Sequence, residues 1–445
     1  MIRFSVIIPV LITLIIPLIS YSQTISEKKF KKPGEPVFVA NGFVNFSAAL
    51  RNQSSTFENR ILPDGFTENK MHSKQEIGND TQIFLKSGMI SGGGVKYGAV
   101  AKVEFNFNSD HRDEHPNLDQ AFIYSEGDFG QVEFGNFFAV NQKMKVGPAS
   151  FARGAGGING KYLENVNLPM FAGMPNSNTK LPRSILLAQS PIGHGGYAKS
   201  FYRRGADNNY VSGTRDYSDY YRSNFRALKD NSFDGMEDAV KISYYSPVIE
   251  GFQLGLSYTP NSNNEGITSQ TARDLDLIRI ENISSFGLNY HEDFDNVGIA
   301  ISATAENGQI KNSKSLAGFE REDLFAYDFG ASASYFGFTL GASYGSWGDS
   351  LQPKNGIYEK FSHASYYTFG LAYQFGPIAT SITSLKSSFQ KNDYEAISLG
   401  LDYKLSRDFM PYFEITNFTF KSNQTTNQIT DNRGQVFLTG ILYSF

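Results

Sequence analysis

The residues that could carry chemistry are few, and their setting works against them. His111-Arg112-Asp113-Glu114-His115 has the H-x-x-E-H spacing of an inverted zincin, where two His on one helical face hold zinc and the Glu acts as general base. Here residues 106–110 read as the end of a strand and Pro116 follows at once. The segment is therefore a hairpin loop without the helix that would align the imidazoles. It is expected to be solvated, or to latch onto a neighbouring subunit. His72, His194, His291 and His363 are scattered and show no Ser or Asp partner motif, which a hydrolase would need at one site. The chain has no cysteine, so thiolate metal sites, iron–sulfur clusters and cysteine nucleophiles drop out. No phosphate-binding or dinucleotide glycine loop occurs; Gly42, Gly98, Gly255 and Gly341 read as strand-bending or packing glycines. No enzyme, no metal and no cofactor are expected.

Charge is the chemistry that remains. The formal net charge is −4 at pH 7, which argues against nucleic acid as a partner. Its distribution is lopsided. Between 139 and 204 stand nine bases, Lys143, Lys145, Arg153 and Lys161 among them, against a single acid, Glu164. Residues 205–238 are acidic, with Asp207, Asp216, Asp219, Asp230, Asp234, Glu237 and Asp238.

The elements that must position these charges are strands. Mean hydropathy is −0.33, yet 38 Phe, 25 Tyr and 42 Gly point to strands and tight turns. From residue 38 onward, segments of about ten residues alternate apolar and polar side chains, the length and pattern of a tilted membrane strand. In 95–108, Tyr97, Ala99, Ala101, Val103 and Phe105 oppose Lys96, Gly98, Lys102 and Glu104. In 251–258, Phe252, Leu254, Leu256 and Tyr258 oppose Gln253, Gly255 and Ser257. In 395–404, Ile397, Leu399, Leu401 and Tyr403 oppose Ser398, Gly400, Asp402 and Lys404. Alternation alone fits a soluble sandwich as well; the connections separate the two. Strands are expected near 38–51, 80–91, 95–108, 118–127, 130–138, 239–247, 251–260, 283–293, 297–306, 322–335, 336–348, 362–375, 377–389, 393–405, 408–421 and 435–445. Tight turns at 92–94, 128–129, 248–250, 294–296, 336–337 and 376–377 alternate with longer polar linkers, the longest being 139–238, and only 390–392 breaks the pattern. Short turns on one side and long loops on the other mark a bacterial outer-membrane barrel. The expected fold class is all-β, a transmembrane antiparallel barrel of about sixteen strands, with 183–204 a candidate for one more hairpin.

Both chain ends agree. Residues 1–22 have Arg3, an apolar run broken by Pro9 and Pro17, and Ser20-Tyr21-Ser22, the pattern of a cleaved export signal. Residues 23–37 read as a periplasmic leader and 38–445 as the barrel. The final strand alternates Phe437, Ile441, Tyr443 and Phe445, with Thr439 the polar exception. Ile441, Tyr443 and Phe445 look like the element that barrel-assembly machinery recognises.

Two stretches resemble the Gram-negative general porins. One is the turn and strand Asp128-Phe129-Gly130-Gln131-Val132-Glu133-Phe134-Gly135-Asn136. The other is Lys241-Ile242-Ser243-Tyr244-Tyr245-Ser246-Pro247 followed by Gly251-Phe252, similar to the family's N-S-x-x-Y-x-S-P-x-x-x-G-F hairpin with Lys241 in place of Asn. The resemblance implies a sixteen-stranded barrel, a homotrimer, in which the third outer loop, here 139–238, folds into the lumen and narrows it. The acidic Pro-Glu-Phe-Gly-Gly-Asp element of enterobacterial relatives is absent. The function expected is passive diffusion of small hydrophilic solutes and ions. Lys143, Lys145, Arg153, Lys161 and Glu164 of the loop, with Arg51, Lys86, Lys102, Glu104 and Lys241 of the wall, are expected to line the constriction and favour anions. The competing reading places the bases in solvent or on lipopolysaccharide phosphates at the rim. A non-conducting barrel serving as adhesin or surface antigen, or a barrel hydrolase, is the alternative function.

Overall fold

Period-two alternation requires strands whose two faces meet different surroundings, and the computed structural model has that form. It describes residues 32–54, 74–108, 117–148, 151–152, 154, 156–159, 162, 165–166, 239–261, 279–294, 297–311, 322–350, 364–389, 392–406, 408–421 and 432–445. The strands are Val37–Gln53 (β1), Gln75–Ile90 (β2), Lys96–Asn108 (β3), Asn117–Gly127 (β4), Gly130–Asn136 (β5), Val240–Tyr245 (β6), Phe252–Asn261 (β7), Arg279–Phe294 (β8), Val297–Lys311 (β9), Leu324–Tyr335 (β10), Phe338–Gly348 (β11), Ala364–Phe375 (β12), Ile378–Phe389 (β13), Asn392–Tyr403 (β14), Phe409–Lys421 (β15) and Asn432–Ser444 (β16). Each pairs antiparallel with its neighbours in sequence, and β16 pairs with β1 to close the barrel. At that seam, Gly42 and Phe445 exchange both backbone hydrogen bonds at 3.0 Å.

All sixteen strands lie on the segments read from the sequence. The differences are at ends. β8 and β9 run on to Arg279 and Lys311 around a bulge between Glu281 and Ser284, where Asn282 has φ 53°. β5 and β6 stop short, at 7 and 6 residues. Phe336-Gly337, both with positive φ, make the kind of two-residue turn whose twist matches that of the flanking strands. Residues 1–22, read as an export signal, the H-x-x-E-H loop and the 183–204 hairpin candidate lie outside the described residues. Among the described residues no helix is long and apolar enough to cross a membrane, and no three His, Asp or Glu gather as a metal site.

The wall has two chemically distinct faces. One is apolar and exposed: Leu399 is 47% exposed, and Phe252, Leu256, Ile397 and Tyr403 share its face. The other is polar and covered: Ser398 is 1% exposed, and Ser257, Thr259, Thr383, Asp402 and Glu414 are likewise buried. The lipid-suited and water-suited sides expected of 95–108, 251–258 and 395–404 separate as read, Val100 joining the covered face. Aromatic rings on the exposed face gather near both strand ends. On β10, Phe325 and Tyr335 lie about 33 Å apart along the strand, which is about 25 Å along the axis of a barrel with strands tilted about 40°.

Candidate functional site

The chain leaves β5 at Asn136 and returns to β6 at Val240. Its first described part, 137–166, packs on the polar face and touches strand after strand. A one-turn helix, Val140–Lys143 (α1), sits on β7 to β9, and the 3-10 turn Gly157–Asn159 sits on β13 to β15. Neither was legible in the sequence, because both are held from outside the segment.

The wall makes room for this segment with missing side chains. A Cβ at Gly255 or Gly287 would strike Met144, one at Gly330 the carbonyl of Val146, and one at Gly341 or Gly370 the Pro148–Phe151 corner. One at Gly400 would meet Ala152. These glycines stand about four to seven residues from the nearest tight turn, so the segment crosses the wall within a band about 10–18 Å up the axis at about 3.3 Å per residue and a tilt of about 40°. The packing role read for Gly255 and Gly341 is what they perform. The rest of the belt was hidden among 42 glycines; a glycine on the polar face of strand after strand was the sign to look for.

The wall also supplies hydrogen-bond partners, since backbone groups away from water must be paired. Ser257 Oγ accepts from Val140 N at 3.0 Å and Ser302 Oγ from Val146 N at 2.9 Å. Asp402 accepts from Gly154 N at 3.2 Å and Glu414 from Gly157 N at 2.8 Å. Asn45 Nδ2 donates to Gly154 O at 3.1 Å, and Arg51 Nη1 donates to Asn165 O at 2.9 Å. Glu306 accepts from Asn141 Nδ2 at 2.5 Å. The hydroxyls of Tyr162 and Tyr394 meet at 2.6 Å; burial, with help from Tyr394 and Glu414, pushes the Tyr162 hydroxyl well above 10.0.

The residues singled out from sequence are distributed as follows. Lys143, in α1, is ion-paired with Glu133 at 2.5 Å, and its ammonium faces the rings of Phe137, Tyr245 and Phe122 at 4.8, 5.3 and 5.5 Å. Burial draws its pKa below 10.5, and Glu133 pulls it back up. Lys145 lies in electrostatic reach of Asp328. Lys241 is buried and donates to the carbonyls of Phe137 and Ala239. Lys86 and Lys102 flank the ring of Phe84 at 5.6 and 5.9 Å on β2 and β3, away from Arg51 at the far end of β1. Glu104 pairs with Gln82 in the β2–β3 register; its side chain, like Arg153, Lys161 and Glu164, lies outside the described set. Ile441, Tyr443 and Phe445 alternate on the exposed apolar face of β16. The wall residues that hold the segment, Ser257, Ser302, Glu414 and Asn45, were not foreseen as site residues, since nothing local marks them.

Comparison with known proteins matches this architecture. An uncharacterized protein of Rickettsia bellii is 26% identical over 426 residues, covering 85% of each chain. One from Rickettsia felis is 29% identical over 347 residues, covering 67% of this chain and 69% of its own. Among solved structures, the anion-selective porin from Comamonas acidovorans superposes with a TM-score of 0.51 at 15% identity, covering 92% of this chain and 100% of that one. The family model described as Gram-negative porin matches residues 64–423. With that match spanning most of a closed antiparallel barrel, the chain belongs to the Gram-negative porin family.

Proposed function

We propose that the polar face encloses a water-filled lumen, that 137–166 lies within it as the constriction, and that small hydrophilic solutes pass, anions preferentially. One observation carries this reading. In about thirty residues the segment touches β7 to β15 in turn and then β1, always on the face opposite the exposed apolar side. The concave side of a closed sheet accommodates such a path. A sixteen-stranded barrel is wide enough to stay open beside it. The apolar band between the aromatic rings, about 25 Å tall, suits a bilayer core.

The anion preference is argued from the bases that stand on the polar face and its segment. Glu306, Asp402 and Glu414 accept from the segment, and Glu133 is matched by Lys143. Arg51, Lys86 and Lys102 place positive charge on β1 to β3, and Lys145 adds one from the segment. Arg153 and Lys161 would reinforce them, with Glu164 and Glu104 opposed. A preference of the same sign is printed in the description of the Comamonas acidovorans porin.

The same reading extends to assembly. β5 and β6, with 7 and 6 residues, are shorter than the 9–11 residues a tilted strand needs to cross a bilayer core. Phe134 and Ile242 are exposed there. A second and third copy of this chain covering that low wall would form the trimer. On the exposed face, Lys386, Glu395, Thr419 and Arg433 form one register row at the long-loop end, where lipopolysaccharide phosphates would lie. Export would remove 1–22, and the assembly machinery would read Ile441, Tyr443 and Phe445.

Planar-bilayer recording under a salt gradient tests the proposal. Stable steps with an anion-signed reversal potential are expected, and Lys86→Glu with Lys102→Glu should move that potential toward cations. A cation-signed potential in the unmutated protein would reject the preference; absent steps from a folded, heat-modifiable barrel would reject the channel.

A further inference from the structure

The long connection begins and ends at one corner of the barrel. The β5–β6 ladder runs from Gln131↔Tyr245 to Asn136↔Val240 and stops there. The next carbonyls outward are Phe137 O, where the chain departs, and Ala239 O, where it comes back. Both accept from the same ammonium, Lys241 Nζ. Lys241 is 1% exposed, and its Nζ lies 5.3 Å from the centroid of the fully buried Phe137 ring. Lys143 Nζ lies 4.8 Å from the centroid of that ring and is paired with Glu133 on β5.

We infer that Lys241 is a positioning residue that staples the two ends of the long connection and so fixes where 137–166 sits on the wall. The chemistry favours lysine for this. An ammonium carries three donors on a flexible four-carbon stem, so one group can serve two carbonyls that arrive from opposite directions. Donors of this kind replace the ladder bonds that the short strands do not continue, and hydrogen bonds to a charged group are stronger than neutral ones. The Phe137 ring, facing two ammonium groups, sets the departure angle of the chain. Lys143 ties the first turn of the segment to β5, while Lys241 ties its root to its return. The inference rests on the reading of 137–166 as the constriction: a root that gives way lets the segment shift on its glycine belt, and the channel width fluctuates with it.

Single-channel recording of Lys241→Met, which keeps the stem and removes the donors, tests this. The variant should remain heat-modifiable and keep the sign of its ion preference, while the fraction of time spent in displaced current levels rises roughly tenfold, the equivalent of about 1.4 kcal/mol. Lys241→Arg, which keeps charged donors, should recover most of the quiet behaviour. A second variant covers failure to fold. Asn136 and Val240 are register partners, about 4.5–5.5 Å apart at Cα, within disulfide range, and the chain has no other cysteine. Asn136→Cys with Val240→Cys in the Lys241→Met background should be quiet when oxidised and noisy once reduced in place. A folded Lys241→Met as quiet as the unmutated channel, or a crosslinked variant indifferent to reduction, overturns the staple and leaves the channel reading intact. If the unmutated barrel does not conduct, the channel reading fails and the staple's role in setting channel width fails with it.

Discussion

At the residue scale, the Lys143–Glu133 pair shows how a count of charges misleads. The sequence presents Lys143 as one of nine bases facing a single acid, which suggests a positive loop. Glu133 lies on the preceding strand, β5, within the 128–136 stretch that resembles the porins. Only the fold brings its carboxylate, 1% exposed, to 2.5 Å from that ammonium. Removing one partner of a buried pair strands the other charge, typically at a cost of about 3–5 kcal/mol. Lys143→Met should therefore lower the urea midpoint of the refolded barrel sharply. Lys143→Met combined with Glu133→Gln should recover much of the loss; additive losses would mean the two charges are independent. The pH dependence has a defined sign. Burial holds the Lys143 pKa below 10.5 in the folded state, so between the two values the unfolded chain carries more protons. Stability then rises with pH through that window, and Lys143→Met should remove this rise.

At the element scale, strands and connections differ in how much the sequence reveals. Strand positions were legible because a strand's faces write a two-residue period into each segment, and 251–258 and the 397–404 part of 395–404 carry it almost without exception. The course of 137–166 was not legible, because its conformation is set by partners on many different strands. The Ser, Gly and Ala of 147–157 announce close packing: a Cβ at Gly154 would strike the Tyr412 side chain. They do not say against what. The glycine belt makes this testable. At Gly330 a Cβ would collide with the carbonyl of Val146, a backbone atom that cannot swing aside, whereas Gly92 has open space. Gly330→Ala should cost about 1–3 kcal/mol, the usual range for overpacking, and should change the conductance step as the segment lifts. Gly92→Ala, in the tight turn between β2 and β3, should leave conductance unaltered. Equal conductance in both variants would show that the segment does not bear on the flow.

At the scale of the whole molecule, the closed sheet and its sixteen strands could be anticipated from even strand number and alternating connection length. The use to which the wall's acids are put could not. Asp402 stands on the face read as suited to water and Glu414 was not singled out, and both are hydrogen-bond acceptors for the segment. Oligomerisation is tested at this scale too. If the low wall at β5 and β6 is covered by other copies, Phe134→Lys with Ile242→Lys should yield barrels that fold but migrate as monomers in non-denaturing gels. An unchanged oligomer would place the interface elsewhere.

The seam between β1 and β16 has one more consequence. Every other strand finds its partner among its immediate sequence neighbours, so most of the sheet can form as the chain arrives. The edge of β1, a template for stray pairing while it stays open, is covered only when β16 pairs along it, from Gln53↔Gly434 to Gly42 and Phe445. The last strand therefore acts as the closing element of the barrel, and β1 stays open until β16 is added. A sheet that lacks β16 keeps two raw edges beside its apolar face, the kind of edge that invites aggregation.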